Sequence, residues 1–140
     1  MEGAREIGVV TEAANHISIK GNQLVQVPEL KYTGWASYRW PLAGGSNVEF
    51  FGVYSWIDDV YYSPFESESE KAESYDRVDL RATWTSSAGN WVVSGFVNNV
   101  FDDIGVLQIL RESESEFFRV TAGITSPRMY GVEVSYSLGQ

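Results

Sequence analysis

A chain of 140 residues is long enough to bury one core, and its lack of cysteine excludes a disulfide framework, a thiolate metal site and a Cys nucleophile. Its net charge of −9 argues against phosphate-backbone binding, which needs clustered Lys and Arg, so no nucleic-acid partner is expected. No apolar run reaches the roughly 18 residues of a membrane-crossing helix, yet aromatics make up 14% of the chain, an unusual share for a soluble domain.

The first stretch, Met1 to Glu29, is irregular and polar, and it opens without the basic and apolar regions of an export signal. If the protein is exported, the chain is expected to start partway through a longer one. From Leu30 to Trp40 a period of two sets in: Leu30, Tyr32, Gly34, Ala36, Tyr38 and Trp40 alternate with Lys31, Thr33, Trp35, Ser37 and Arg39. The turn Pro41-Leu42-Ala43-Gly44-Gly45-Ser46 leads into a second predicted strand, Asn47 to Tyr62, which is apolar on both faces in places. A polar loop follows from Ser63 to Ser74. The clearest strand is Asp76 to Thr85, with Val78, Leu80, Ala82 and Trp84 set against Arg77, Asp79, Arg81 and Thr83. A short turn, Ser86-Ser87-Ala88-Gly89-Asn90, precedes Trp91 to Phe101. A long connection, roughly Asp102 to Arg128, holds an additional predicted hairpin around Glu116 to Ile124. The last strand alternates Tyr130, Val132, Val134, Tyr136 and Leu138 with Gly131, Glu133, Ser135 and Ser137.

Long and short connections therefore alternate, and the strands have about the 9–11 residues, or somewhat more, that a tilted strand needs to cross a bilayer. That is the arrangement of a transmembrane barrel with short periplasmic turns and long extracellular loops, and a mean hydropathy of −0.19 is compatible with it. The expected fold class is all-β: an antiparallel meander of about five to six transmembrane-type strands, an open segment of a large outer-membrane β-barrel. Residues 1–29 read as an extracellular-type loop and 30–140 as barrel strands and loops. Five strands leave two open edges, whose unpaired backbone groups cost several kcal/mol each in lipid. The sum is on the order of tens of kcal/mol against a usual stability of about 5–15 kcal/mol, so the sheet is not expected to fold in a membrane by itself.

Side chains that could carry chemistry are few. Glu66-Ser67-Glu68-Ser69-Glu70 and Glu112-Ser113-Glu114-Ser115-Glu116 are acidic runs expected to stay solvated and mobile; neither has the Gly-bent ligand spacing of a Ca²⁺ loop. His16 is the one histidine and has no second ligand beside it, while Asp58-Asp59 and Asp102-Asp103 read as solvated strand ends. No cofactor and no catalytic residue is expected. Arg77, Asp79 and Arg81 share the polar side of a strand and would face a barrel lumen, either as an interior charge ladder or in contact with an anionic ligand. Trp40, Trp84 and Trp91 stand beside the short turns, where amphipathic rings anchor at a membrane interface.

Four motifs, taken in order, resemble the end of the TonB-dependent receptor β-barrel. They are Gly21-Asn22-Gln23-Leu24-Val25-Gln26-Val27-Pro28, the strand and turn from Tyr38 to Gly45, Val97-Asn98-Asn99-Val100-Phe101-Asp102, and Ser126-Pro127-Arg128-Met129-Tyr130-Gly131. The resemblance covers about Gly21 to Leu138. It implies a bacterial outer-membrane receptor whose complete barrel has about twenty-two strands around a plug. It also implies energy-coupled import of ferric siderophores, cobalamin or oligosaccharides. Gly131, Tyr136 and Leu138 resemble the C-terminal strand signal that the barrel-assembly machinery reads, although Gly139 and Gln140 follow where the family usually ends in Phe. The partners implied are outer-membrane lipid, the rest of the barrel and its plug, and the small ligand of the parent receptor. Two other readings are a small self-associating outer-membrane β-protein and a soluble carbohydrate-binding β-sandwich.

Overall fold

The computed structural model describes residues 18–138. Five long strands form one antiparallel sheet, and two hairpins stand at one end of it. In chain order the strands are β1 Lys31–Pro41, β2 Asn47–Ile57, β3 Val60–Tyr61, β4 Lys71–Ala72, β5 Tyr75–Thr85, β6 Trp91–Asn98, β7 Val106–Arg111, β8 Val120–Ile124 and β9 Met129–Tyr136. The sheet order is β1-β2-β5-β6-β9, while β3 pairs with β4 and β7 with β8.

The register decides the faces, because directly paired residues point to the same side of a sheet. One row reads Ala36, Gly52, Leu80, Val97, Tyr130; the next reads Tyr38, Phe50, Ala82, Gly95, Val132. On the opposite side lie Ser37, Phe51, Arg81, Phe96 and Gly131, then Arg39, Glu49, Thr83, Ser94 and Glu133. The two adjacent phenylalanines of β2 are thus divided, Phe50 to the apolar face and Phe51 to the polar one. This settles a strand whose alternation was unclear in the sequence.

No second layer covers the sheet among the described residues. Val60 and Ala72, both in the small hairpin, are the buried hydrophobic residues, whereas Leu80 is 48%, Val132 72% and Tyr130 80% exposed. Such a bare apolar face is far larger than a soluble monomer carries, and it lacks the facing sheet of a sandwich. The outer edges of β1 and β9 are unpaired among the described residues. A closed barrel needs about eight strands or more, so five strands make an open sheet.

Three boundaries differ from the sequence expectation. The strand predicted over Asn47 to Tyr62 stops at Ile57, because the Asp59 N–H turns to the Asp58 carboxylate at 2.9 Å and leaves the ladder. The strand predicted to Phe101 stops at Asn98, because Asn99 and Asp102 take left-handed φ values of 55° and 60°. The hairpin in the last connection begins at Val106 rather than near Glu116, and Glu114–Glu116 forms a single 3₁₀ turn at its tip.

Candidate functional site

All the long connections gather at one end of the sheet. Lys31, Ile57 and Tyr75 are in register there, as are Asn98 and Met129, so the segment before β1 and both hairpins rise from a common rim. Among the described residues, the opposite end carries the two short turns and the tail after β9, whose Ser137 N–H donates to the Asn90 carbonyl at 2.9 Å. The segment 18–29 folds onto the first hairpin: the Gln26 N–H donates to the Tyr61 carbonyl at 2.9 Å, and the Gln23 N–H to the Glu66 carboxylate at 2.7 Å. His16 and the rest of residues 1–17 lie outside the described residues, as do Gly139 and Gln140.

The polar face carries cross-braced charges. Arg77 donates through Nε to Asp79 at 2.9 Å, and Arg81 reaches Glu133 on β9 at 2.7 Å, passing over the Phe96 ring at 5.3 Å from its centroid. Arg39 pairs with Glu49 across β1 and β2 at 2.6 Å. Arg77, Asp79 and Arg81 therefore share one face, as the alternation predicts, and both arginines are already engaged by carboxylates of the same wall. These pairs are half-exposed, and each is worth about 0–1 kcal/mol at most. They order the wall more than they stabilise it.

Trp40, Trp84 and Trp91 fall together on the apolar face at the short-turn end. Trp40 and Trp84 share a register row with Val48, Val93 and Val134, and Trp91 faces Tyr136 with ring centroids 4.6 Å apart. Gly131 sits on the polar face directly beneath Phe96. A Cβ there would stand 2.8 Å from the ring's Cζ, so a larger residue must displace the ring. Leu138 follows the end of β9 and is 86% exposed. A groove of about 560 Å³ on the apolar face is lined mainly by Phe50, Leu80, Ala82, Val97 and Tyr130, with Arg81 the one charged residue in its lining.

The paired carboxylates at the rim are engaged in holding loops. Asp59 meets Lys71 at 3.2 Å; the lysine hydrogen bond holds the Asp59 carboxyl below its ordinary range, and the same contact raises Lys71. Asp103 accepts the Asp76 N–H at 3.2 Å, and Asp102 accepts the Arg128 N–H at 2.7 Å. The two acidic runs are shaped as 3₁₀ turns, and Arg111 joins the hairpins by reaching Glu70 at 2.9 Å and Ser69 at 2.8 Å. No group of three or more potential metal-binding side chains occurs among the described residues.

Asn99 was missed as a site residue by the sequence reading, which used it only within a motif. It is 1% exposed and makes five side-chain or backbone hydrogen bonds that join the wall to the last loop. The signal available in the sequence was its company: Asn98-Asn99 followed by Asp102-Asp103 marks a turn able to hold left-handed residues.

The motifs that suggested a family are thus physically joined, since the Asp102 that ends one accepts from the Arg128 of the other. Comparison with curated proteins and with solved structures finds no match. The family described as TonB dependent receptor-like, beta-barrel, matches residues 8–100, which takes in β1 to β6 and ends within the Asn99-Val100 turn. Beyond that span, β9 continues the same wall in unbroken register with β6. With the match covering more than half of the 140 residues, the chain belongs to the TonB-dependent receptor β-barrel family, a transporter family of the bacterial outer membrane.

Proposed function

We propose that this chain supplies wall and extracellular loops to an outer-membrane transporter that imports a ferric siderophore or a similarly scarce nutrient. It has no catalytic part in this reading. The observation that carries it is the division of the sheet: one bare apolar face suited to lipid, one charged face suited to a lumen, and every long loop at one end. Lipid then covers the row of Leu80 and Tyr130, and a plug within the parent barrel meets the row of Arg81 and Phe96. Neighbouring strands of the parent barrel pair with β1 and β9. In the wall, Arg77, Asp79 and Arg81 act as an interior charge ladder, and Trp40, Trp84 and Trp91 form the periplasmic girdle. Gly131, Tyr136 and Leu138 serve as the terminal signal for the barrel-assembly machinery.

The test is uptake in cells whose receptor gene is deleted and then restored. Energy-dependent accumulation of one ferric siderophore should be lost and regained, with cobalamin and oligosaccharides run in parallel. Gain and loss for cobalamin or a sugar instead would keep the transporter and replace the ligand. No change for any of the three would overturn the import reading.

A further inference from the structure

We infer that Asn99 is the positioning residue of the last long loop, pinning the β7–β8 hairpin to the rim so that it stands as a fixed wall of the outer mouth. The argument starts from its conformation. With φ at 55°, position 99 needs a residue that tolerates left-handed backbone, which Gly, Asn and Asp do best. Glycine would satisfy that need alone; the side chain present does more.

Its Nδ2 donates to the Asp103 carbonyl at 2.8 Å and to the Ser126 carbonyl at 3.1 Å, one on each side of the hairpin's base. Its Oδ1 accepts the Asp103 N–H at 3.1 Å. Both donors and the acceptor of one amide are thereby used, in a site with almost no contact with water. The backbone ties the amide to the wall, since the Asn99 N–H donates to Asp79 at 2.8 Å and the Val100 N–H to the Val78 carbonyl at 2.8 Å. Just above, Gly105 and Thr125 close the hairpin's base with two bonds: the Gly105 N–H to the Thr125 hydroxyl at 3.0 Å, and the Thr125 N–H to the Gly105 carbonyl at 2.9 Å. Losing the amide would take from two carbonyls and one N–H at the hairpin's base the one partner they share, inside a site that the Asn99 side chain itself keeps almost closed to water.

The experiment uses the intact receptor in outer-membrane vesicles, with spin labels at Phe117, on the hairpin's exposed tip, and at Ser87, on the opposite turn. The unaltered residue should give a single narrow distance distribution. Asn99→Gly keeps the backbone conformation and removes the amide, and should lose the narrow peak. Asn99→Asp presents a carboxylate to two carbonyls; it should lose the peak at neutral pH and regain it on acidification, where the protonated carboxyl donates to one of them again. The glycine variant should show no such recovery. A narrow peak in Asn99→Gly would overturn the proposal, as would acid recovery in both variants alike. Hydrogen exchange on the unaltered receptor gives an independent reading if the variants do not assemble. The Asp103 and Gly105 amides should exchange as slowly as those of β5, and rapid exchange there would overturn it. Neither readout depends on what the receptor transports.

Discussion

The wall and the rim of this chain are held together by opposite means. In the wall, backbone ladders run between five strands, and the side chains on the apolar face touch little within the chain itself. In the proposed receptor their stabilisation comes from the surrounding lipid and from strands that add at the edges. At the rim, the polar residue Asn99 is more deeply buried than either Leu80 or Val134, and it is satisfied by partners of the same chain. A membrane strand thus carries its apolar residues outward and its buried polar residues at its ends, the inverse of a soluble domain.

The largest expected effect breaks the wall. Leu80 lies halfway along β5 on the apolar face, so Leu80→Arg should cost about 2–4 kcal/mol in chemical unfolding of the lipid-embedded receptor. Val134→Arg should cost less, because the register places Val134 in the row of Trp40 and Trp84, near the interface. Ser37→Arg, at an exposed position on the other face of the sheet, should be nearly neutral. Equal costs for Leu80→Arg and Ser37→Arg would show that the two faces meet the same medium.

The next effect breaks the rim. Asp102 has a φ of 60° and accepts the Arg128 N–H at 2.7 Å. Asp102→Ala loses both the bond and the tolerance for left-handed backbone, at about 1 kcal/mol each. The loss should total roughly 2 kcal/mol and should appear as faster hydrogen exchange at the start of β9. Asp102→Asn, which retains the backbone tolerance and an acceptor oxygen, should recover most of it. A full loss with Asn would mean that the charge facing Arg128, not the geometry, is what counts.

These two regions were unequally legible. The alternation of Val78, Leu80, Ala82 and Trp84 with Arg77, Asp79 and Arg81 is a local pattern, so the strand, its faces and its neighbours follow from a window of ten or so residues. Where both sides are apolar, as at Phe50 and Phe51, the window fails and only pairing with Ala82 and Arg81 assigns the faces. The rim is harder still. Asn99 bonds to Ser126, and Arg111 to Glu70, across long stretches of chain that no periodicity relates. The acidic runs looked like mere charge repulsion because the arginine that meets one of them lies on another hairpin. The hairpin at Val106 was placed too late for a related reason: Leu107 and Leu110 both point to solvent at 58% and 49% exposure, so the strand lacks a one-sided pattern.

A smaller test sharpens the wall by asking whether its two faces are packed with equal care. Gly131→Val puts a branched side chain where a single Cβ already stands 2.8 Å from Phe96, and should cost about 1–2 kcal/mol. Phe96→Ala in the same receptor should relieve part of that cost in a double-mutant cycle. Simple addition of the two losses would mean that the ring swings aside freely, despite Arg81 lying over it.

The smallest effect concerns the rim's titration. Asp59 is held below its ordinary range by Lys71, so the pair's contribution is present above the unfolded aspartate's pKa and is lost as pH falls through the lowered folded value. Lys71 is raised in turn, so on the alkaline side the contribution persists up to the ordinary lysine range and fades as pH rises through the folded value. Between those limits the β3–β4 hairpin should show constant hydrogen exchange. Acid should release it first, since the carboxylate range is nearer to neutral conditions than any limit of the receptor's strand ladders, which contain no titrating backbone group. Asp59→Asn should abolish the acid step in this hairpin and leave exchange in β5 and β6 untouched. An acid step that survives the substitution would assign the hairpin's hold to its other carboxylate contacts, the Glu66 bond to the Gln23 N–H and the Glu70 pair with Arg111.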